Sequence, residues 1–295
     1  MQKSTKAIFA LISVTAVWGL TFPLIKNAVV DIDPTAFVVL RLVMATLIML
    51  PFVAHRLHKT TGFIVLGGMI IGALNSAIYI AQSIGLETTS SANSAFITAS
   101  SVILVPFLSP LLGTGRPRLL DICATLVALL GIFVLTGANL AHLTVGDWWT
   151  FGCALTYALF IIALQRITQK PLDIYLLVFY QILFALPIPL VMSLYKHTHY
   201  VLDKPVLIAV LFCAIFATCL TFYMQSAFQK YTTVTKAALI YAFEPVFATI
   251  FALWINGEKI TSYTLIGGLC VLSGFLLTEL VPLIKSTHRR FLKKA

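Results

Sequence analysis

Charge is what this sequence is short of. Only 10% of its 295 residues are Asp, Glu, Lys or Arg, against about 25% in soluble domains. A chain with so few polar groups cannot wet the surface of a globular enzyme, and it is too apolar for a disordered tail. There are five cysteines, and none stands in a Cys-x-x-Cys pair or at ligand spacing from a His; that argues against a metal site or a disulfide framework. Cys123, Cys153, Cys213, Cys219 and Cys270 all lie in apolar runs, where a free thiol behaves as a small hydrophobe. The chain has no Gly-x-x-x-x-Gly-Lys-Ser/Thr loop and so no nucleotide motor of its own, no His-Glu-x-x-His, and no cluster of acids to hold a metal. His55, His58, His142, His197, His199 and His288 sit in or beside loops, which leaves no His relay inside the apolar segments. An embedded enzyme would have to work with Glu244 and little else.

Hydrophobic residues fill the chain instead, 60% of the total, with a mean hydropathy of +0.99. A membrane-spanning helix takes about 20 apolar residues, and ten runs of about that length are present. They are Lys6–Ile25, Pro34–Ala54, Phe63–Gly85, Ser90–Leu112 and Leu119–Thr136, then Trp148–Gln165, Ile174–Tyr195, Pro205–Phe228, Thr233–Ile255 and Thr264–Ile284. Backbone in lipid must satisfy its own hydrogen bonds, so the runs are expected to be helices. Segments of about ten residues with alternating polarity, the mark of a transmembrane barrel, are absent from the sequence. The first run is too long for a signal peptide and lacks a convincing cleavage site, so it counts as a helix. The expected fold class is an all-α integral membrane protein with ten transmembrane helices.

Fifteen of the 20 Lys and Arg gather at alternate ends of these runs, the ends that carry Lys3, Arg56, Arg118, Arg166, Lys230 and the Lys285–Lys294 tail. Lys26, Lys196, Lys204 and Lys259 fall at the other ends, together with Asp31, Asp33, Glu87, Asp147, Asp203 and Glu258. By the positive-inside rule the basic side is cytoplasmic, which places both termini there and the chain in the cytoplasmic (inner) membrane. The net charge of +10 then reads as a topology signal rather than a nucleic-acid footprint. The expected partners are a small-molecule substrate and the lipid bilayer, with no nucleic acid; a homodimer is allowed but not required.

A shift of 143 residues lays Gln82-Ser83 on Gln225-Ser226, Thr89 on Thr232, Gly131 on Gly274 and the fourth run on the ninth. A slightly smaller shift brings Trp18 near Tyr157. Two halves of five helices follow, residues 1–140 and 141–295, and because five is odd the second half enters the bilayer in the opposite sense. Inverted repeats place a site at their interface, near the midplane.

Glu244, near the middle of the ninth run, is the residue most costly to bury. A charged carboxylate at that depth costs at least ~2.5 kcal/mol on insertion scales. Two readings are open: a substrate-amine or proton site, and a carboxyl that satisfies backbone groups freed by Pro245. Arg41, about two turns into the second run, could hold a substrate carboxylate bidentately. It could equally snorkel to the interface or tie loops together, and its nearness to the helix start favours that structural role. Lys236 reads first as a positive-inside anchor. Aromatic and amide residues interleave as Trp18 and Phe22, Tyr79 and Gln82, Tyr157 and Phe160, Tyr223 and Gln225. The first two pairs are spaced by four and three, so each shares a helix face. Singly such residues suit an interfacial belt or helix contacts; as a set on symmetry-related helices they point to a cavity wall. Asn93 and Thr98, among Ser94, Ser100 and Ser101, face either a wet path or a close helix contact, and Gly68-x-x-x-Gly72 is a packing motif.

Several motifs carry a resemblance. Trp18-Gly-Leu-Thr-Phe22, Leu40-Arg41-Leu42 and Ser91-Ala-Asn93-Ser-Ala-Phe96 resemble the first EamA repeat, and Tyr241-Ala-Phe-Glu244-Pro245-Val-Phe247 and Gly257-Glu258-Lys259 the second. Over essentially its whole length the chain is similar to the EamA-type branch of the drug/metabolite transporter superfamily. It departs at Ser101-Val102, where relatives often carry Ser-Pro, and at Gly113-Thr-Gly115-Arg116, where Gly-Glu-Arg is usual. The resemblance implies ten helices in two inverted halves and secondary transport rather than enzymatic activity. It also implies export or exchange of small metabolites, often amino acids, through a cavity built from helices one, three, four, six, eight and nine. The expected substrate site joins Trp18, Phe22, Tyr79, Gln82, Asn93, Thr98, Tyr157, Tyr223, Gln225, Tyr241 and Glu244. No catalytic residue, metal or cofactor is expected, with a proton as the candidate coupling ion.

Overall fold

Short polar side chains set where the helices begin. Asp33 accepts from the backbone N–H groups of Thr35 and Ala36, Asp173 from those of Tyr175 and Leu176, and Asp203 from that of Val206. Each satisfies donors that the first turn of a helix leaves without a partner. Pro34 and Pro205 stand in the first turns that follow, where a missing N–H is harmless. Thr144 and Asp147 form a reciprocal capping box.

The computed structural model describes residues 2–89, 91–113, 117–136, 143–200, 202–256, 262–263 and 265–277. The Gly257-Glu258-Lys259 motif, Arg116 and the basic tail from Lys285 lie outside these residues. All regular structure among the described residues is helical: α1 Gln2–Ala28, α2 Pro34–Val53, α3 Gly62–Thr88, α4 Ser91–Ala99, α5 Ser101–Leu111, α6 Leu119–Thr136, α7 Val145–Thr168, α8 Ile174–Ala185, α9 Pro187–Tyr195, α10 Lys204–Ala214, α11 Thr221–Phe228, α12 Val234–Tyr241 and α13 Glu244–Asn256. A further apolar helix covers Leu265–Leu277. Eight helical stretches are long and apolar enough to cross a membrane, and the helices over Leu119–Val134 and Leu265–Leu277 are shorter. Large apolar side chains such as Phe107, Leu130 and Trp254 point outward, as an apolar solvent allows and water would not.

Four runs that are continuous in the sequence are interrupted in space. α8 stops before Pro187, which has no N–H to continue the helical ladder and opens α9 at its first position. Between α10 and α11 the helix widens to a π-helical stretch over Ile215–Leu220. The remaining two interruptions are related: α5 begins at Ser101 and α13 at Glu244, positions that the 143-residue shift superposes. Pro245 therefore sits in the first turn of a new helix rather than inside an old one, the position proline tolerates best.

Close packing follows the same relation. A Cβ on Gly131 of α6 would lie 2.7 Å from the Val271 nitrogen, and one on Gly274 would lie 2.7 Å from the Ala124 oxygen. The two symmetry-related glycines thus let α6 and the Leu265–Leu277 helix approach backbone to backbone. Gly72 lets α3 meet α8 in the same way, its Cβ position 2.6 Å from the Gln181 oxygen.

Candidate functional site

Where α1, α2, α3, α4, α7, α11 and α13 converge, the bundle leaves a cavity with about 450 Å³ of empty space. Its walls carry Trp18, Thr21, Arg41, Asn75, Ile78, Tyr79, Gln82, Thr98, Tyr157, Phe160, Phe222 and Glu244. Five of these twelve residues are aromatic and six are polar or charged, with one formal charge of each sign, a lining with both apolar faces and converging polar groups for a small molecule.

The π-helical stretch organises one wall. Thr218 donates to the Cys213 carbonyl at 2.8 Å, and the Ala217 carbonyl accepts from side chains of two other helices. Trp18 Nε1 donates to the Ala217 oxygen at 3.3 Å and to Thr221 Oγ1 at 3.2 Å. Arg41 Nη2 donates to the same Ala217 oxygen at 3.0 Å and to the Tyr79 hydroxyl at 3.0 Å, and Arg41 Nε to Thr218 Oγ1 at 2.8 Å. The guanidinium carbon lies 3.9 Å from the centre of the Tyr79 ring. π-Turns are frequent at functional sites because they release backbone groups in this way. On its other flank Tyr79 stacks on Phe222, with centroids 6.1 Å apart and planes 7° from parallel. The 143-residue shift relates Tyr79 to Phe222, so the repeats touch through equivalent rings.

Glu244 forms the opposite pole. It is 5% exposed, and among the described residues its carboxyl has no hydrogen bond and no ion pair. Nothing there shows it satisfying backbone freed by Pro245. Its position in the first turn of α13 places it at the positive end of that helix's dipole. Gly19 makes the approach possible: a Cβ there would lie 3.0 Å from the Glu244 carbonyl oxygen and 2.8 Å from the Ala248 nitrogen.

The two ends of the cavity are closed differently. Tyr241 packs against Trp18 and Tyr157, with ring centroids 5.6 and 6.0 Å away. Behind it the Tyr241 hydroxyl donates to Gln229 Oε1 at 3.0 Å. Gln229 Nε2 donates to the Ile161 carbonyl at 2.8 Å and to Gln165 Oε1 at 3.2 Å, and Gln165 Nε2 donates to the Thr232 carbonyl at 3.1 Å. At the other end Phe22 and Leu86, both fully buried, belong to an apolar cluster with Ala95 and Ala248. Lys26 Nζ donates to the carbonyls of Leu86 and Thr89, at 2.5 and 3.1 Å.

Of the residues singled out from sequence, Trp18, Tyr79, Gln82, Thr98, Tyr157 and Glu244 line the cavity, and Tyr241 packs directly behind it. Phe22, Asn93, Tyr223 and Gln225 are not among its walls. Phe22 lies in the apolar cluster. Gln225 is fully buried, and Asn93 is half-buried near the start of α4. Tyr223 stacks on Tyr175 at 4.8 Å, next to the Arg56–Asp173 ion pair of 3.1 Å. Thr21, Asn75, Ile78 and Phe222 escaped the sequence reading. Asn75 lies four residues before Tyr79 and Thr21 three after Trp18, so helical spacing carried a signal for both. The sequence left Arg41 between a carboxylate site and a structural role, favouring the second; its buried bonds to Ala217, Thr218 and Tyr79 place it on the cavity wall, where it ties α2 to its neighbours.

The model of the EamA-like transporter family matches this chain twice, over residues 5–137 and 144–280. The chain belongs to that family. Its two matches to one EamA-like model make it a protein of two repeats and, with the apolar helices, a multi-pass membrane transporter. A curated relative, an uncharacterized transporter of Archaeoglobus fulgidus, is 29% identical over 280 residues, 94% of this chain and 87% of the relative. A crystal structure with 18% sequence identity superimposes with a TM-score of 0.74, covering 94% of this chain and 97% of its own. At that identity the likeness shows a shared fold alone.

Proposed function

We propose that this transporter moves small zwitterionic or amphipathic metabolites, amino acids among them, outward or in exchange by alternating access. In this reading ten spans form two inverted five-helix halves in the cytoplasmic membrane, with both termini in the cytoplasm. The carrying observation is Glu244, a buried carboxyl with no hydrogen-bond or ion-pair partner among the described residues, in a cavity walled by aromatic and polar side chains. Intramembrane acids of this kind take a substrate cation or a proton, and the faces of Trp18 and Tyr157 suit an ammonium beside them. The end that carries Arg56, Arg118 and Lys230 is then the cytoplasmic one.

The test is counterflow of labelled amino acids in proteoliposomes, run with and without an imposed pH gradient. Glu244→Gln keeps the volume and removes the charge. Loss of both amine selectivity and pH dependence is the expected result. If rate and pH response both survive in the Gln variant, the carboxyl has only a structural role.

A further inference from the structure

We propose that Arg41 is the anion subsite of this cavity, the group that receives the carboxylate of the transported solute. The inference rests on the transport reading above and narrows it to solutes that carry both charges.

Arg41 is 3% exposed, and every acceptor it has is neutral: the Thr218 and Tyr79 hydroxyls and the Ala217 carbonyl. The other paired arginines behave differently, Arg56 meeting Asp173 and Arg118 meeting Asp121 at 3.1 and 3.3 Å. Among the described residues no carboxylate lies within ion-pair distance of Arg41, although it shares the cavity wall with Glu244. A guanidinium has five N–H donors. The one on Nε and the two on Nη2 are used, which leaves the pair on Nη1 without a hydrogen-bond partner among the described residues. A permanent cation buried this deeply calls for a counter-charge, and the described residues supply none at contact distance.

The group is also held still. Its central carbon sits over the Tyr79 ring, and its Nε and Nη2 edge is fastened to the π-helical stretch and to the Tyr79 hydroxyl. An incoming anion therefore meets a pre-oriented donor with little left to order. Because that edge is already occupied, the anion docks on Nη1 and not in the two-pronged bidentate geometry. A solute with an ammonium for Glu244 and a carboxylate for Arg41 leaves neither charge bare, whereas a simple amine leaves the guanidinium unpaired.

The experiment compares matched trios on the intact, purified wild-type protein by thermal shift and by competition for counterflow. One trio is leucine, 3-methylbutylamine and 4-methylpentanoate; the other is phenylalanine, 2-phenylethylamine and 3-phenylpropionate. The amino acid is expected to compete at least tenfold more strongly than its amine, the loss that follows when a buried charged donor goes unmet. In Arg41→Gln that discrimination disappears, and Arg41→Lys retains part of it. The wild-type comparison stands by itself should either variant fail to fold. If amine and amino acid compete equally, Arg41 is a structural tie alone while transport stands. If no amino acid exchanges or stabilises, the transport reading falls and this inference with it.

Discussion

The two closures of the cavity occupy equivalent places in the two repeats and are built from opposite chemistry. The 143-residue shift that relates the repeats carries Phe22 onto Gln165 and Leu86 onto Gln229. Leu86 lies four residues beyond Gln82, as Gln229 lies four beyond Gln225, so each closes its end one turn past an equivalent amide. One pair closes its end with apolar surface, and the other with a chain of buried hydrogen bonds that ends on Tyr241. When an apolar closure parts and water enters, each large side chain loses about 1.5–3 kcal/mol of burial. When a hydrogen-bonded closure parts, water replaces its bonds, and the net loss is about 0.5–1.5 kcal/mol per bond. Four bonds at one end against two large apolar side chains at the other make the two closures comparable in cost to part; they differ in that water can replace the bonds of the Gln side chains and offers nothing to Phe22 and Leu86. The same asymmetry shows at Gln82 and Gln225: the first lines the cavity and the second is fully buried, as one state of the proposed alternating cycle would have it.

Mixing the two chemistries gives the largest expected effect. Phe22→Gln sets an amide inside the apolar cluster, where burying it without a hydrogen bond costs about 2–7 kcal/mol. The variant is expected to melt at lower temperature and to open at that end. A cysteine introduced at the buried Ala95 should then react with an impermeant alkylating reagent, in a background with the exposed Cys123 replaced. An unreactive cysteine together with an unchanged melting temperature would mean that the apolar pair closes nothing.

The reverse exchange is expected to act less strongly. Gln229→Leu leaves the Tyr241 hydroxyl and Gln165 Oε1 without their partners, at about 1–3 kcal/mol each while they stay buried. Water relieves that cost only if this end opens, so the population should shift toward the opened state by tenfold or more. Alkylation of a cysteine at the buried Ala238 reads the shift, and protection equal to the parent protein would contradict it.

Much of this fold was written in the sequence, and the reason is solvent. Lipid leaves backbone no alternative to helix, so runs such as Leu119–Thr136 coincide with α6 to the residue. Caps at Asp33 and Asp173 fixed starts that hydropathy alone would blur. The interruptions were harder to read, because nothing in Ile215–Leu220 distinguishes a π-turn from an α-turn: the difference lies in which other helices claim the Ala217 carbonyl. Arg41 stayed between two readings for the same reason, since depth along one helix says nothing of the neighbour that covers it. Glu244 and Trp18 were legible because a carboxyl in an apolar run and an aromatic face shared with polar positions stand out without knowledge of partners. Phe22 and Gln225 resemble wall residues in composition, yet they pack at positions that are covered in this conformation.

The smallest effect is expected from Tyr241→Phe, which keeps the ring against Trp18 and Tyr157 and removes only the hydroxyl. One hydrogen bond to Gln229 is lost, a change of about 0.5–1.5 kcal/mol in net terms, and Gln229 Oε1 is left to find water. The melting temperature should fall by less than in Gln229→Leu, and reactivity at Ala238→Cys should rise by less than tenfold. Because the aromatic wall is intact, recognition of solute at equilibrium should be unchanged while the rate of counterflow shifts with the ease of opening. A drop in solute affinity equal to the change in rate would instead place the hydroxyl in direct contact with the cargo. It would then belong to the binding wall, and the amide layer behind it would lose its role as an independent closure.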